Sequence, residues 1–395
     1  MAIYLDYCAG TYVDPRVKKE MDMYFSKEFG NPSSFHEMGL KASQAVTRSR
    51  ETIAKILGAK PTEIIFTGCG TESCNMAIKG VAFEYRKKHP TGGHVITSNV
   101  EHHAVLDACR WLGEQGFDIT ILPVDRHGLI TAKQVEKTIR DDTILVTIMY
   151  ANNEIGTVQP VVEIGKICRS KKVFFYTDAC QAGLLELDVN KLKVDMMTLN
   201  GSKIYGPKGI GLLYVRSGVK LVPLLHGGGQ EQGMRSGTLN VPGIVGFAKA
   251  LEIVDKEGKS EAKKLEKLRD YLIKNVLKNI PRSYLNGHST KRLPKNVNFT
   301  ILDIEGESLL LRLNEKGIFC STGSACTSIQ LEPSHVILAI GISKKAAHGT
   351  IRFTLGRTTT KQDIDKLLKL LPKAVEDLRK MSPVRLKSPY SKKNN

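Results

Sequence analysis

The chain lacks any apolar run long enough to span a bilayer, so no membrane segment is expected. Its first ten residues, MAIYLDYCAG, lack the basic stretch and apolar core of a secretory signal, which predicts a cytoplasmic protein. No CxxC pair occurs among the eight cysteines, Cys8, Cys69, Cys74, Cys109, Cys168, Cys180, Cys320 and Cys326. That excludes the spacing of a zinc knuckle or a thioredoxin-like site, and no metal is expected. By default each thiol reads as a small buried apolar side chain. Internal repeats and nucleic-acid-binding motifs are missing as well.

What is present is the balance of a globular protein, with 41% hydrophobic and 25% charged residues in 395 positions. That length suggests two or three structural units and a core large enough to enclose a pocket. Lysine and arginine outnumber aspartate and glutamate by 58 to 40, a formal charge of +18. Such a surplus favours acidic partners. Many of the positive residues lie on helix-like stretches such as 261–278, so a solvated basic surface is the preferred reading and no direct nucleic-acid partner is expected.

From residue 63 to 215, short β-branched runs alternate with helix-length segments. Seven strands are predicted, at 63–67, 94–98, 119–124, 143–149, 173–177, 194–199 and 210–215, with helices between them over 73–88 and 162–170 among others. This alternation predicts α/β layering around a largely parallel sheet, with ligands bound beyond the strand C-termini. Near 254–264 the composition turns to Lys, Glu and Ser, which marks a candidate domain boundary. A smaller α+β unit follows, with strands at 296–300 and 350–355, a helix from about 307, a small-residue loop at 320–328 and a final helix from 361. The basic, proline-containing tail 381–395 is expected to be disordered.

Two constellations point to chemistry. In FTGCGTESCN, residues 66–75, a strand ends in a Gly-Cys-Gly turn and a helix begins near Thr71. Free N–H groups at the helix start would seat an anion such as a phosphate, though a plain strand-to-helix turn explains the pattern equally well. It is no P-loop, since no GK[ST] follows. Secondly, Asp178 and Lys203 close consecutive strand candidates. An aldehyde cofactor needs an amine to bind it and a carboxylate to keep its pyridine nitrogen protonated. A capping Asp and a solvated Lys are the alternative.

With SKIYGPKGIGLLYV (202–215) and GGGQEQGMRSGT (227–238), the sequence resembles the NifS/IscS-type cysteine desulfurases within the class V aminotransferase-like pyridoxal-phosphate (PLP) enzymes. The likeness extends through YLDYCAGTYVDPRV (4–17), GNPSSFHEMG (30–39), EHHAVLD (101–107), ANNEIGTVQP (151–160), TDACQA (177–182), STGSACTS (321–328) and TIRFTLGRTTT (350–360). These motifs stand in the family's order and cover nearly the whole chain.

The resemblance implies the PLP-dependent transferase fold of type I. A large PLP-binding domain over 15–255 would carry the seven-stranded sheet, and 1–14 with 256–380 would form a small C-terminal domain. It implies that Lys203 binds the cofactor and moves the Cα proton, that Asp178 pairs with the ring nitrogen, and that His102 stacks on the ring. Gln181 and Asn153 would contact the phenolate oxygen, with Asn153 also near the substrate. Thr71, Ser202 and the Gly70 backbone would hold the phosphate, joined by Thr238 from the other subunit of a homodimer. Arg352 would clamp the carboxylate of L-cysteine with its two-pronged fork.

Cys326 sits in a run of Ser, Thr, Gly and Ala that offers almost no apolar anchor, which suits a nucleophile that must travel. The implied activity takes L-cysteine to L-alanine and leaves its sulfur on Cys326 as a persulfide. An acceptor protein of iron–sulfur cluster assembly or tRNA thiolation would then receive it. The rival readings are a selenocysteine lyase, another class V aminotransferase, or a non-catalytic sulfur-trafficking platform. The family usually carries S-x-H-K at the cofactor lysine, whereas Asn200 and Ser202 stand in the Ser and His positions here. Gln232 replaces a frequent arginine, and Cys69 and Cys74 fall inside the phosphate turn. Cys320, between Phe319 and the loop, reads as core.

Overall fold

Runs rich in Val, Ile, Leu and Phe cannot stay solvated, and in the computed structural model, which describes residues 2–322 and 333–390, they pair into sheets. In chain order the strands are β1 (Ile3–Tyr4), β2 (Ile64–Thr67), β3 (His94–Ser98), β4 (Asp118–Leu122), β5 (Thr143–Thr147) and β6 (Phe174–Asp178). They continue as β7 (Met196–Asn200), β8 (Gly211–Val215), β9 (Ser283–Leu285), β10 (Asn296–Ile301), β11 (Ile318–Phe319) and β12 (Thr350–Thr354). Seven of these form one sheet in the order β2-β8-β7-β6-β5-β3-β4. β8 runs antiparallel to both its neighbours, and the other pairs are parallel.

All seven predicted strands are present, each shifted by no more than two residues at either end. Their continuous apolar character follows from burial on both faces. Ile96, Val146, Phe175 and Leu212 belong to one core, while their chain neighbours Val95, Leu145, Tyr176 and Leu213 point into another. The two-residue period of a strand sends successive side chains to opposite sides, so a sheet between two helix layers needs apolar residues at every position.

The 39-residue helix Val241–Asn279 begins where Asn240 accepts a hydrogen bond from Gly243 N–H and Pro242 occupies the first turn. Its first half buries Phe247 and Leu251 in the large core, and its second half buries Leu265, Leu272 and Val276 in another. The composition change at 254–264 therefore falls inside a continuous helix that passes from one core to the next. Around the second core lie the antiparallel sheet β9-β10-β12, the parallel pair β1–β11, and the helices Gly306–Glu315 and Lys361–Met381. Ile3 and Leu5 pack into this core, and Asp6 bridges Thr354 in parallel.

The tail departs from expectation. Residues 382–390, expected to be disordered, lie against the second unit. Leu386 N–H donates to Asp303 at 2.8 Å, Pro389 C=O accepts from Ser343 N–H at 2.9 Å, and Tyr390 bridges Ile342. Leu386 also packs against the cluster of Val336, Ile337 and Ile340. Composition counted the lysines, serines and prolines but could not see that the tail's backbone finds partners. Among the described residues no helix is long and apolar enough to cross a membrane, and no group of His, Cys, Asp or Glu is arranged to hold a metal ion.

Candidate active site

A cavity of about 330 Å³ opens beyond the C-terminal ends of β5, β6 and β7 and is closed on its far side by β12. On the large-sheet side, Asp178 is the last residue of β6 and Asn200 the last of β7. Asn200 caps the single turn Gly201–Lys203, its Oδ1 accepting from Ser202 N–H and Ser202 Oγ–H at 3.2 Å each. That turn brings the Lys203 amine into the cavity, where it donates to the carbonyls of Cys8 at 2.9 Å and Ala9 at 2.6 Å. Among the described residues no carboxylate stands at ion-pair distance from it, and burial lowers its pKa. A buried amine without a counter-ion favours its neutral, nucleophilic form.

Around the lysine the wall is polar and tightly braced. Asp178 Oδ1 accepts from Cys180 N–H at 2.9 Å, and its other oxygen lies 4.0 Å from Cys74 Sγ. Gln181 donates from Nε2 to Cys8 C=O at 3.0 Å, while its Oε1 is buried without a partner. His102 caps the helix His103–Glu114 by accepting at Nδ1 from Ala104 N–H at 3.1 Å, which puts the ring proton on Nε2. Burial lowers its pKa and so favours the neutral ring. Gly70 and Thr71 open the helix Gly70–Arg86 at the cavity edge. A Cβ at Gly70 would stand 2.8 Å from Cys180 Sγ, so only glycine lets this turn approach β6.

The opposite wall belongs to the second unit. Arg352 stands mid-strand in β12 and is 2% exposed. Its Nη1 donates to Asn153 C=O at 2.9 Å and its Nη2 to Asp6 Oδ1 at 2.8 Å, while Nε–H is buried with no acceptor. Two of the five N–H donors of the fork are thus engaged and three are left over for a carboxylate.

The structure thus gathers Gly70, Thr71, His102, Asn153, Asp178, Gln181, Lys203 and Arg352 around one cavity. Ser202 is not among the lining residues; its hydroxyl is turned to Asn200, and Asn200 takes its place on the wall. Thr238 is exposed and lines no part of this cavity. Cys326 lies outside the described residues. On either side of it, Ser321 exchanges backbone hydrogen bonds with Arg352 at 2.6 and 3.2 Å, and Ser334 Oγ donates to Glu154 at 2.5 Å. Cys320 packs against the second core, and burial pushes its pKa up to about 12.

Sequence reasoning missed four groups. Asp6 reaches Arg352 across 346 positions, and the carbonyls of Cys8 and Ala9 anchor Lys203. Glu101 is fully buried beneath the site and accepts from Ser98 Oγ–H at 2.6 Å and from Met149 N–H. Its pKa is pushed by burial to about 8. Glu154, in the same cavity wall, is raised to about 7 by burial. Asp6, Glu101 and Glu154 each fall inside a quoted motif, YLDYCAG, EHHAVLD or ANNEIG, and membership of those motifs was the available signal. Cys74 and Cys180, both in the wall, are held as thiols because burial raises their pKa values.

A doubly layered α/β sheet with a buried amine past its strand ends, a strand-end carboxylate and a facing guanidinium defines a small-molecule enzyme site of the fold type I transferases. The chain belongs to the Aminotransferase class-V family, which it matches over residues 3–367. It is 52% identical over 384 residues to "Cysteine desulfurase IscS" of Methanosarcina thermophila, covering 97% of this chain and 94% of that one. It is 49% identical to the protein of the same name from Dictyoglomus turgidum, over 99% of each. Among solved structures, a "NIFS-LIKE PROTEIN" aligns with a TM-score of 0.89 at 39% identity, over 96% of this chain and 100% of that one. "SspA in complex with cysteine" aligns with a TM-score of 0.79 at 40% identity, over 89% and 98%.

The family's cofactor is pyridoxal phosphate, and the wall described here fits it. An amine without a counter-ion suits covalent capture of an aldehyde, Asp178 at the end of β6 offers a carboxylate for the pyridine nitrogen, and a helix N-terminus stands at the cavity edge.

Proposed function

We propose that the protein is a PLP-dependent cysteine desulfurase that converts L-cysteine to L-alanine and carries the removed sulfur on Cys326 as a persulfide. The observation that carries this reading is the tethering of the Cys326 segment. The described residues on both sides of it, Ser321 and Ser334, bond to Arg352 and Glu154, which line the same cavity as Lys203. The described chain on either side of Cys326 therefore reaches the lysine's pocket.

The bound cofactor supplies an electron sink for the Cα electrons of the amino acid. Lys203 binds it and then accepts the Cα proton at Nζ, a task suited to an amine whose pKa burial has lowered. Asp178 would keep the pyridine nitrogen protonated, His102 would stack on the ring, and Gln181 and Asn153 would contact the ring oxygen. Thr71, Ser202 and the Gly70 backbone would hold the phosphate, with the Asn200 side chain also in the cavity wall. Arg352 takes the substrate carboxylate on its open edge. The Cys326 thiolate attacks the substrate Sγ, forming the S–S bond as the Cβ–Sγ bond breaks; protonation at Cβ and return of a proton from Lys203 to Cα give alanine.

Thr238 completes the phosphate site of a partner copy, so the working unit is a homodimer. The persulfide passes to a sulfur-acceptor protein of iron–sulfur assembly or tRNA thiolation, and the protein works in the cytoplasm. Mass spectrometry after addition of L-cysteine is expected to show one extra sulfur on the Cys326 peptide. Sulfur delivery by Cys326→Ser, or transamination without sulfide release, would overturn the assignment.

A further inference from the structure

β10 reads Asn296-Val-Asn-Phe-Thr-Ile301, a strict polar–apolar alternation. Such a strand ordinarily turns its polar face to water. Here both faces are buried: Val297, Phe299 and Ile301 enter the second core, and Asn296, Asn298 and Thr300 are 0% exposed on the other side. β12 repeats the pattern, with Ile351 and Phe353 in the core and Arg352 on the buried polar face. Asn298 is the cross-strand partner of Arg352, which puts both on that face.

What covers the polar face is the loop that carries Asn153. Three successive carbonyls of that loop point at it. Asn153 C=O accepts from Arg352 Nη1 at 2.9 Å and Asn296 Nδ2 at 3.2 Å. Glu154 C=O accepts from Asn296 Nδ2 at 3.2 Å and Asn298 Nδ2 at 3.1 Å. Ile155 C=O accepts from Arg292 Nη2 at 3.0 Å. The chain then turns through Gly156 (φ 78°), where a Cβ would stand 2.7 Å from Asn296 Oδ1. A buried amide is costly unless bonded, so a polar stripe retained inside a sheet asks for a use.

We propose that Asn296 and Asn298 are positioning residues for substrate recognition: they fix the Asn153 loop of the large sheet in register with Arg352, so that the carboxylate fork and the loop keep one spacing. This rests on Arg352 taking the substrate carboxylate. Neither asparagine lines the cavity, and both act through backbone. Their loss lets the loop drift from Arg352; Asn296 also lies 3.9 Å from Cys8 Sγ, whereas Asn298 touches neither Lys203 nor its anchors.

The test is titration of purified holoenzyme with L-alanine and with ethylamine, an amine lacking the carboxylate, followed by the shift of the visible cofactor band. Asn296→Ala is expected to raise the half-saturating L-alanine concentration about five- to tenfold while that of ethylamine changes less than about twofold. Asn298→Ala, which removes one donor rather than two, is expected to show a smaller loss of the same kind and serves if Asn296→Ala does not fold. In an Arg352→Ala background, either substitution should leave the ratio unchanged. Unchanged L-alanine saturation in both single variants, or equal losses for the two amines, would overturn the proposal. A wild-type band that responds to L-alanine but not to L-cysteine would sink the desulfurase reading alone, because the clamp is read without sulfur.

Discussion

In the seven-stranded sheet both faces are apolar and the functional groups stand past the strand ends, whereas in β9-β10-β12 one face is a buried polar stripe and Arg352 stands mid-strand. The large sheet can give its other strand positions to the core because Asp178 and Asn200 are the last residues of their strands and Lys203 follows β7. The small sheet gives up half its positions to polar side chains, and holds together because most of these groups find a partner within the sheet or across the joint, Asn296 Oδ1 and Arg352 Nε–H being left without one. Asn286 Nδ2, for instance, donates to Asn298 Oδ1 at 2.7 Å and to Thr300 Oγ1 at 2.8 Å. Chemistry at strand ends leaves the core free. Chemistry on a strand face has to be packed.

The contrast can be broken at its strongest point. Lys203→Ala removes a group that no neighbour replaces, and a loss of about 10³-fold or more in alanine formation is expected, together with the visible cofactor band. Retention of both would show that the end-of-strand wall is not where the reaction occurs. Arg352→Lys keeps the charge but not the fork, and Asp6 and Asn153 C=O would compete for a single ammonium. The expected result is a KM for L-cysteine raised about 10- to 100-fold with kcat changed much less. Equal losses in kcat would mean that Arg352 acts in the transition state as well.

The smallest expected effect concerns stability. The Glu101 carboxyl is raised by burial from the ordinary 4.5 to about 8, so between those values the folded chain holds a proton that the unfolded chain has released. Stability therefore falls as pH rises from about 5 to 8, where the buried charge is fully imposed. Glu101→Gln removes that titration, and its thermal midpoint should decline less steeply over the same range. Parallel declines for the two proteins would show that Glu101 is ionised at all these pH values.

The strands of the large sheet were legible because burial on both faces leaves continuous Val, Ile, Leu and Phe runs of strand length, as in TILVT of β5. Lys203, Asp178 and Arg352 were legible as members of ordered motifs. Asp6, Glu101 and Glu154 stood in those motifs too, but their use depends on partners 346, 48 and 180 positions away: Arg352, Met149 N–H and Ser334. The alternation in β10 was visible, yet its natural meaning was a solvated polar face, and only the covering loop reverses it. The bond of the Ser202 hydroxyl to Asn200 Oδ1 at 3.2 Å was not legible, because residue type alone does not say where a hydroxyl points.

By itself the sequence determined the α/β order, the extent of the strands and the chemical groups required, since these follow from local periodicity and residue type. Tertiary structure alone decided which side of β10 stays dry, where the tail rests and which backbone carbonyls brace Lys203 and Arg352. The reason is that a hydrogen bond between distant segments has no period along the chain. Its geometry exists only once two cores have packed and fixed the distance between them.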